Sequence, residues 1–215
     1  MTKLRVCFIG DSITNGTGDV AMLGWPGYLC AAEVAAGHDL TDYNLGIRGD
    51  TSDDIRPRWQ AEVAARLKPG TNCAIVFNFG LNDATLQGEG PDAAIRVDLG
   101  RSIKNAREML GRAKTMQPTL WVGPSAVDDA RMPLTTDEGH IRDKRNARTA
   151  DYNLAFRALA DELQIPYLDM LSETINDPAW PGMLADGLHP FAPGHKRMAE
   201  IVGGWPAWRK LLDGA

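Results

Sequence analysis

Residues 4–16 read LRVCFIGDSITNG, an apolar run that ends at Gly10 and is followed at once by small polar residues and a second glycine, Gly16. An apolar run of about six residues is the length of a buried strand, so it predicts the first strand of a sheet that is covered on both faces. The polar stretch after it has two interpretations. It is either a loop whose backbone wraps a phosphate or a turn that presents Ser12 to a substrate.

Strand-like and helix-like segments alternate along the rest of the chain, which predicts βαβ units and a parallel sheet. Right-handed crossovers then make the sheet doubly wound, with helices on both faces. The predicted fold class is therefore α/β, a three-layer α/β/α sandwich around a five-stranded parallel sheet. The predicted strands are Leu4–Gly10, Leu40–Leu45, Ala74–Phe79, Leu120–Gly123 and Pro166–Met170, and the predicted helices are Trp25–Ala36, Asp53–Leu67, Ala93–Met116, Asp143–Leu163 and Gly194–Leu212.

Length and composition favour one globular domain, residues 1–215, that acts on a small molecule. The formal net charge of −5, without a block of Lys or Arg, argues against nucleic acid or an anionic membrane as a partner. No stretch approaches the ~18 apolar residues of a membrane span, and the N-terminus lacks the pattern of a secretory leader. Cys7, Cys30 and Cys73 lie in apolar segments, which predicts reduced core thiols and a cytoplasmic protein.

The polar residues after the predicted strands decide between the two interpretations of the opening stretch. Ligands of an open parallel sheet bind at the carboxyl ends of its strands, and the first three strands place Ser12, Gly49 and Asn82 there if the first lies between the other two. A Walker-type phosphate loop needs a lysine followed by Ser or Thr after its second glycine, and Gly16 is followed by Thr-Gly-Asp. The sequence therefore favours the serine.

A serine hydroxyl becomes a useful nucleophile when a base accepts its proton. Asp186 and His189 are three residues apart in a turn closed by Pro190, so one bend can bring the carboxylate to Nδ1 and leave Nε2 for Ser12. Attack on an acyl carbon creates an oxyanion, which needs donors fixed in advance. The backbone N–H groups of Ser12 and Gly49 and the carboxamide of Asn82 can supply them.

At these residues the chain resembles the SGNH, or GDSL-type, hydrolases. The stretches GDSIT, NLGIRGDTS, GLND and DGLHP match the four sequence blocks of that family in order and spacing, from Gly10 to Pro190. The resemblance implies a flavodoxin-like α/β/α fold and serine-dependent ester hydrolysis without a cofactor. It also implies that Ser12 is the nucleophile, His189 the base and Asp186 its orienting partner, with Gly49 and Asn82 completing the oxyanion hole.

Trp25, Trp180 and Met183 flank these blocks and are predicted to wall the acyl pocket, with core packing as the alternative. The irregular segment 125–141 is predicted to be a loop on the substrate side of the sheet. We interpret its Asp128, Asp129 and His140 as solvated rather than as metal ligands.

Several functions remain open at this point. The same residues could act in a short-chain esterase, a thioesterase, a carbohydrate deacetylase or an acyltransferase. A non-catalytic binding module would have the same fold but would not need both Asn82 and His189. The sequence does not decide whether the chain forms a homo-oligomer, because Met and Trp in the last predicted helix suit either the core or a subunit contact.

Overall fold

The computed structural model describes residues 3–68, 70–136 and 139–214. Within these residues the strands are β1 (Lys3–Gly10), β2 (Asp39–Gly46), β3 (Asn72–Asn78), β4 (Leu86–Gln87), β5 (Ala94–Ile95), β6 (Thr119–Val122), β7 (Leu134–Thr135), β8 (Ile141–Asp143) and β9 (Tyr167–Leu168). The helices are α1 (Ser12–Asn15), α2 (Gly24–Ala35), α3 (Ser52–Arg66), α4 (Leu99–Ala113), α5 (Asn146–Leu163), α6 (Met170–Ile175), α7 (Ala192–Gly204) and α8 (Pro206–Asp213). In this part of the chain no helix is both long and apolar enough to cross a membrane.

The main sheet is parallel, with the strand order β2-β1-β3-β6-β9. All five predicted strands are present, and β1 lies between β2 and β3, as the sequence argument required. The chain moves outward from β1 to β2 and then crosses back to β3, so the strand order reverses at β1. The carboxyl ends of β1, β2 and β3 therefore meet at the position where ligands bind in open α/β sheets.

The two faces of this sheet bury separate hydrophobic clusters, which confirms the three-layer architecture. Alternate residues of β1 divide between them, with Val6 and Phe8 in one cluster and Cys7 and Ile9 in the other. The first cluster contains residues of α2, α7 and α8, and the second contains residues of α3, α4 and α5. Both faces of β1 are thus covered, and this accounts for its continuous apolar sequence.

The observed helices depart from the predicted bounds at points with clear local causes. The predicted helix Ala93–Met116 begins at Leu99, because residues 94–95 pair with β4 and Asp98 caps the helix by accepting from the Arg101 N–H at 3.0 Å. The predicted helix Gly194–Leu212 is divided into α7 and α8, because Pro206 has no N–H with which to continue the first helix.

The segment 125–141 is partly ordered into regular structure. It contains a 3₁₀ turn at Asp129–Arg131 and the strand β7, and it leads into β8. These strands form a second, antiparallel sheet in the order β5-β4-β8-β7. Residues 137 and 138 of the predicted loop lie outside the described residues.

Candidate active site

Ser12 is the first residue of the short helix α1, directly beyond the end of β1. The Asp11 carboxylate caps this helix, with Oδ1 accepting from the Ile13 N–H at 2.9 Å. Both residues are almost fully buried. The capping bond fixes the turn between strand and helix, so that the Ser12 side chain projects at the carboxyl end of the sheet.

The Asp186–His189 turn is held by its own carboxylate. Oδ1 of Asp186 accepts from the backbone N–H groups of Leu188 at 2.9 Å and His189 at 2.7 Å, while Oδ2 lies 2.7 Å from His189 Nδ1. Gly187 supplies the positive φ of +90° that the bend requires. Partial burial raises the pKa of Asp186, but these hydrogen bonds and the imidazole outweigh it and hold the pKa well below its usual range.

His189 connects this turn to Ser12, because its Nε2 lies 3.1 Å from Ser12 Oγ. An ionised Asp186 carboxylate only accepts hydrogen bonds, so Nδ1 carries the proton that faces it. Nε2 is then the unprotonated nitrogen and accepts from the Ser12 hydroxyl. The three side chains form a continuous hydrogen-bonded chain from carboxylate to hydroxyl.

Asn82 ties three strand ends together. Its Nδ2 donates to the Asp50 carbonyl at 2.9 Å and to Asp11 Oδ2 at 3.2 Å, and its Oδ1 accepts from Lys144 Nζ at 2.8 Å. Asp11 precedes Ser12 and Asp50 follows Gly49. The structure therefore brings together all four separate stretches that the sequence singled out.

Gly49 lies in the loop after β2 with a φ of +81°, in the left-handed region that favours glycine. Apart from its two chain neighbours, no residue that the structure describes comes within 4 Å of the position that a Cβ would occupy there. Its carbonyl accepts from Arg96 Nη2 at 2.9 Å, which holds the loop in place. A side chain at this position would enter the open space beside the loop.

Neighbouring carboxylates have structural roles. Asp83 is buried and accepts from the Ser52 N–H at 2.7 Å and the Ser102 hydroxyl at 2.5 Å. Burial raises the pKa of Asp83 despite these bonds. Asp50 pairs with Arg58 at 2.8 Å, and Asp50 and Asp83 thus brace the loops around Asn82.

Trp25 and Trp180, predicted as walls of an acyl pocket or as core residues, are both buried in this structure. Both indoles are fully buried in the hydrophobic core, where Trp25 Nε1 donates to Asn78 Oδ1 at 3.2 Å and Trp180 Nε1 donates to the Ala126 carbonyl at 2.9 Å. Met183 is half-buried and packs against the same cluster. The two tryptophans thus follow the core-packing alternative, because each uses its N–H and its ring inside the molecule.

The acidic residues of the segment after β6 are engaged in turns. Asp128 Oδ1 accepts from the Ala130 N–H at 3.1 Å, and Asp129 Oδ1 accepts from the Asn146 N–H at 3.0 Å. Among the residues that the structure describes, no group of three or more His, Cys, Asp or Glu side chains is arranged to hold a metal ion.

Two basic residues near the site were not predicted from the sequence. Lys144 is buried and contacts Asn82, and Arg96 is half-buried and holds the carbonyl of Gly49. Both belong to the region of the second sheet rather than to any of the four motifs. No spacing pattern in a single sequence connects them to Ser12.

A serine hydroxyl bonded to a carboxylate-supported imidazole, at the carboxyl edge of a doubly wound parallel sheet, is the arrangement expected of a hydrolase with a serine nucleophile. The sequence model of the GDSL-like lipase/acylhydrolase family matches residues 8–197 of this chain. The chain therefore belongs to that family, which confirms the resemblance drawn from its four motifs.

Individual relatives agree with this assignment. The chain is 26% identical over 212 residues to an acetylxylan esterase of Xylanibacter ruminicola, covering 93% of this chain and 42% of that protein. It is 30% identical over 161 residues to an isoamyl acetate-hydrolyzing esterase of Saccharomyces cerevisiae, covering 70% of this chain and 62% of that protein. The chain thus spans less than two thirds of the length of either relative.

The fold is also found in a solved structure, that of a lipase/acylhydrolase from Enterococcus faecalis. The two share a TM-score of 0.75 and 21% sequence identity over 97% of both chains. At this level of identity the likeness supports the architecture alone.

Proposed function

We propose that this chain hydrolyses carboxylic esters of short acyl groups, acetyl above all, through a covalent intermediate on Ser12. The observation that carries the proposal is the distance of 3.1 Å between His189 Nε2 and Ser12 Oγ, with Nδ1 engaged by Asp186. This is hydrogen-bond distance for a general base acting on a nucleophile. Asp186, His189 and Ser12 would act as a catalytic triad.

The proposed reaction has two steps. Ser12 Oγ attacks the ester carbonyl carbon while its proton passes to His189 Nε2, and the carbonyl oxygen becomes an oxyanion. The N–H groups of Ser12 and Gly49 and the carboxamide of Asn82 stabilise that charge. Collapse breaks the bond to the alcohol, which leaves with the proton from Nε2, and water then repeats the sequence to release the acid.

Asn82 already has partners for both hydrogens of its amide nitrogen, namely Asp11 Oδ2 and the Asp50 carbonyl. The oxyanion would therefore share or displace one of these acceptors. The bond to Asp11 is the longer of the two, at 3.2 Å, and Asp11 adjoins Ser12, so this is the bond that we expect the oxyanion to take over.

The acetyl group is proposed from the relatives that the chain resembles. The names of the two relatives, one on acetylxylan and one on isoamyl acetate, share the acetyl group and differ in the alcohol.

A series of aryl esters with acyl chains from two to twelve carbons tests this proposal. We expect kcat/KM to be highest for acetate and to fall steadily beyond butyrate, with no activity above background for Ser12→Ala, and we expect no acceptor other than water to be required. A maximum at long chains would contradict the short-acyl assignment. Faster cleavage of an acetyl thioester would favour a thioesterase, and turnover that depends on a second alcohol would favour an acyltransferase.

We also propose that the protein works in the cytoplasm. The three cysteines, Cys7, Cys30 and Cys73, are free and buried, which supports a reducing compartment. Burial raises the pKa of the Cys7 thiol to about 12, so this thiol is not a nucleophile near neutral pH.

The net charge of the protein, −5, favours an uncharged ester over an anionic one as the substrate.

A further inference from the structure

Lys144 has no part in the two-step reaction described above, yet its amino group lies in the polar network beneath the site. Nζ donates to Asn82 Oδ1 at 2.8 Å and to Thr85 Oγ1 at 2.6 Å, and only 3% of the residue is exposed. Burying an amino group costs free energy unless its hydrogen bonds are made inside the protein. The cost of burying Lys144 suggests that its hydrogen bonds have a role in the protein.

The direction of these bonds is fixed by chemistry. The Thr85 hydroxyl donates its own hydrogen to the Leu81 carbonyl at 3.0 Å, so toward Lys144 it can only accept. Oδ1 of Asn82 also only accepts. Lys144 Nζ is therefore the donor in both contacts, whether the amine carries its extra proton or not.

The orientation of Asn82 depends on this arrangement. A carboxamide that rotates by 180° exchanges Oδ1 and Nδ2, and only the unrotated form offers a donor to an oxyanion. The rotated form would place Nδ2 against the Lys144 donor, and would place Oδ1 against the Asp11 carboxylate and the Asp50 carbonyl. Lys144 is the partner that specifically holds the oxygen end.

We propose that Lys144 is the positioning residue of the oxyanion hole: by donating to Asn82 Oδ1 it keeps the Asn82 amide N–H groups directed at the reacting carbonyl oxygen. The inference rests on the proposed ester hydrolysis and deepens it. Lys144 does not touch the substrate. It acts through Asn82, whose side chain it orients and polarises, since a donor on the amide oxygen makes the amide N–H a stronger donor.

A double-mutant cycle between Lys144→Met and Asn82→Ala tests the proposal, with aryl acetate as substrate. Methionine fills a similar volume but provides no donor. Removing one oxyanion donor lowers kcat by about 10²- to 10³-fold in other hydrolases, so we expect Lys144→Met to cost at least about tenfold and no more than Asn82→Ala. KM should change less than about threefold, because the bond matters most in the transition state.

The decisive result is the effect of Lys144→Met in the Asn82→Ala background. If the lysine acts through Asn82, Lys144→Met lowers the kcat of the Asn82→Ala variant by less than about twofold, because there is no carboxamide left to orient. Equal losses in both backgrounds would show that the lysine acts independently and would overturn the proposal. An unchanged kcat for Lys144→Met alone would overturn it as well.

Arg148→Met is a matched control, since it removes a half-buried cation from the same segment that contacts Asp143 and the Ala84 carbonyl rather than Asn82. We expect it to keep kcat within about twofold. Thermal melting is recorded for every variant. If Lys144→Met is not folded, Lys144→Leu, which also provides no donor, takes its place in the cycle. Unfolding of both variants would also count against the proposal, because the fold rather than Asn82 would then require the lysine.

Failure of this inference is distinguishable from failure of the proposed function. A wild-type protein that neither hydrolyses aryl acetates nor reacts with a fluorophosphonate at Ser12 would refute the ester hydrolase. Normal wild-type turnover with an additive cycle would refute the positioning role of Lys144 alone.

Discussion

Replacing Asp186 by asparagine should remove most of the activity while leaving the fold intact. Oδ1 of Asp186 accepts from two backbone N–H groups, at 2.9 and 2.7 Å, so the oxygen of an asparagine must occupy that place. Its amide nitrogen is then forced to face His189 Nδ1, where Oδ2 now lies at 2.7 Å. A donor in that position favours the imidazole tautomer with its hydrogen on Nε2, which cannot accept the Ser12 proton.

The expected loss follows from comparison with other serine hydrolases. Preventing the correct histidine tautomer, or removing the aspartate, costs about 10⁴-fold in kcat there, equivalent to roughly 5.5 kcal/mol of transition-state stabilisation. Here 45% of the Asp186 side chain is exposed, so water can solvate an imidazole that turns away from the amide. We therefore expect the smaller loss of about 10³-fold, or roughly 4 kcal/mol.

The assay is aryl acetate hydrolysis at saturating substrate, with thermal melting measured in parallel. Asp186→Asn should melt within a few degrees of the wild type, because its oxygen keeps both backbone bonds. Asp186→Ala is the comparison. It lacks any acceptor for the two N–H groups and should lose about 1–3 kcal/mol of stability as well as activity. Retention of more than a tenth of the wild-type kcat by a folded Asp186→Asn protein would refute the assigned role.

Two further predictions concern the same corner of the site. Because the pKa of Asp186 is held well below its usual range, this carboxylate stays ionised at assay pH and should add no step of its own to the acid limb of log(kcat/KM). That limb should therefore have a slope of one, and a slope of two would show that Asp186 titrates there as well. Gly18 has a φ of +94°, and a Cβ there would lie 2.5 Å from the Pro190 carbonyl oxygen and 3.2 Å from His189 Cβ. Gly18→Ala should therefore lower kcat by about tenfold or more. Backbone strain should also reduce the stability of this variant by ~1–3 kcal/mol. Gly37→Ala, with a φ of +101° and open space around it, should have the strain cost alone, and equal kcat values for the two variants would contradict the reasoning.

The sheet was predictable because its strands are covered on both faces. Each central strand then needs apolar residues at nearly every position, and such runs are visible without knowledge of the fold. The small second sheet was not predictable for the opposite reason. Ile95 has the spacing of a helical residue relative to Leu99, but it pairs with Leu86, and a two-residue strand is decided by its partner rather than by its own sequence.

The proposed catalytic residues and the predicted pocket residues differ in how far their position follows from the local sequence. Asp186 and His189 belong to one turn, so their mutual geometry is encoded within four residues. Trp25 and Trp180 are also near the motifs in sequence, but the direction of a side chain depends on which face of its helix meets the sheet. Both face inward and form part of the core, so proximity to the motifs along the chain did not predict an exposed side chain.

The position of Lys144 beside Asn82 could not be predicted from the sequence. It lies in the run IRDKRNAR at residues 141–148, whose polarity is typical of a solvated surface. Its burial depends on acceptors from residues 82 and 85, about 60 residues earlier in the chain, which the pairing of β8 with β4 brings into reach. A buried amine is stable only where such acceptors converge, and convergence of this kind is a property of the folded chain. The donor that we propose to orient the Asn82 amide is therefore brought into place by a strand pairing outside all four motifs.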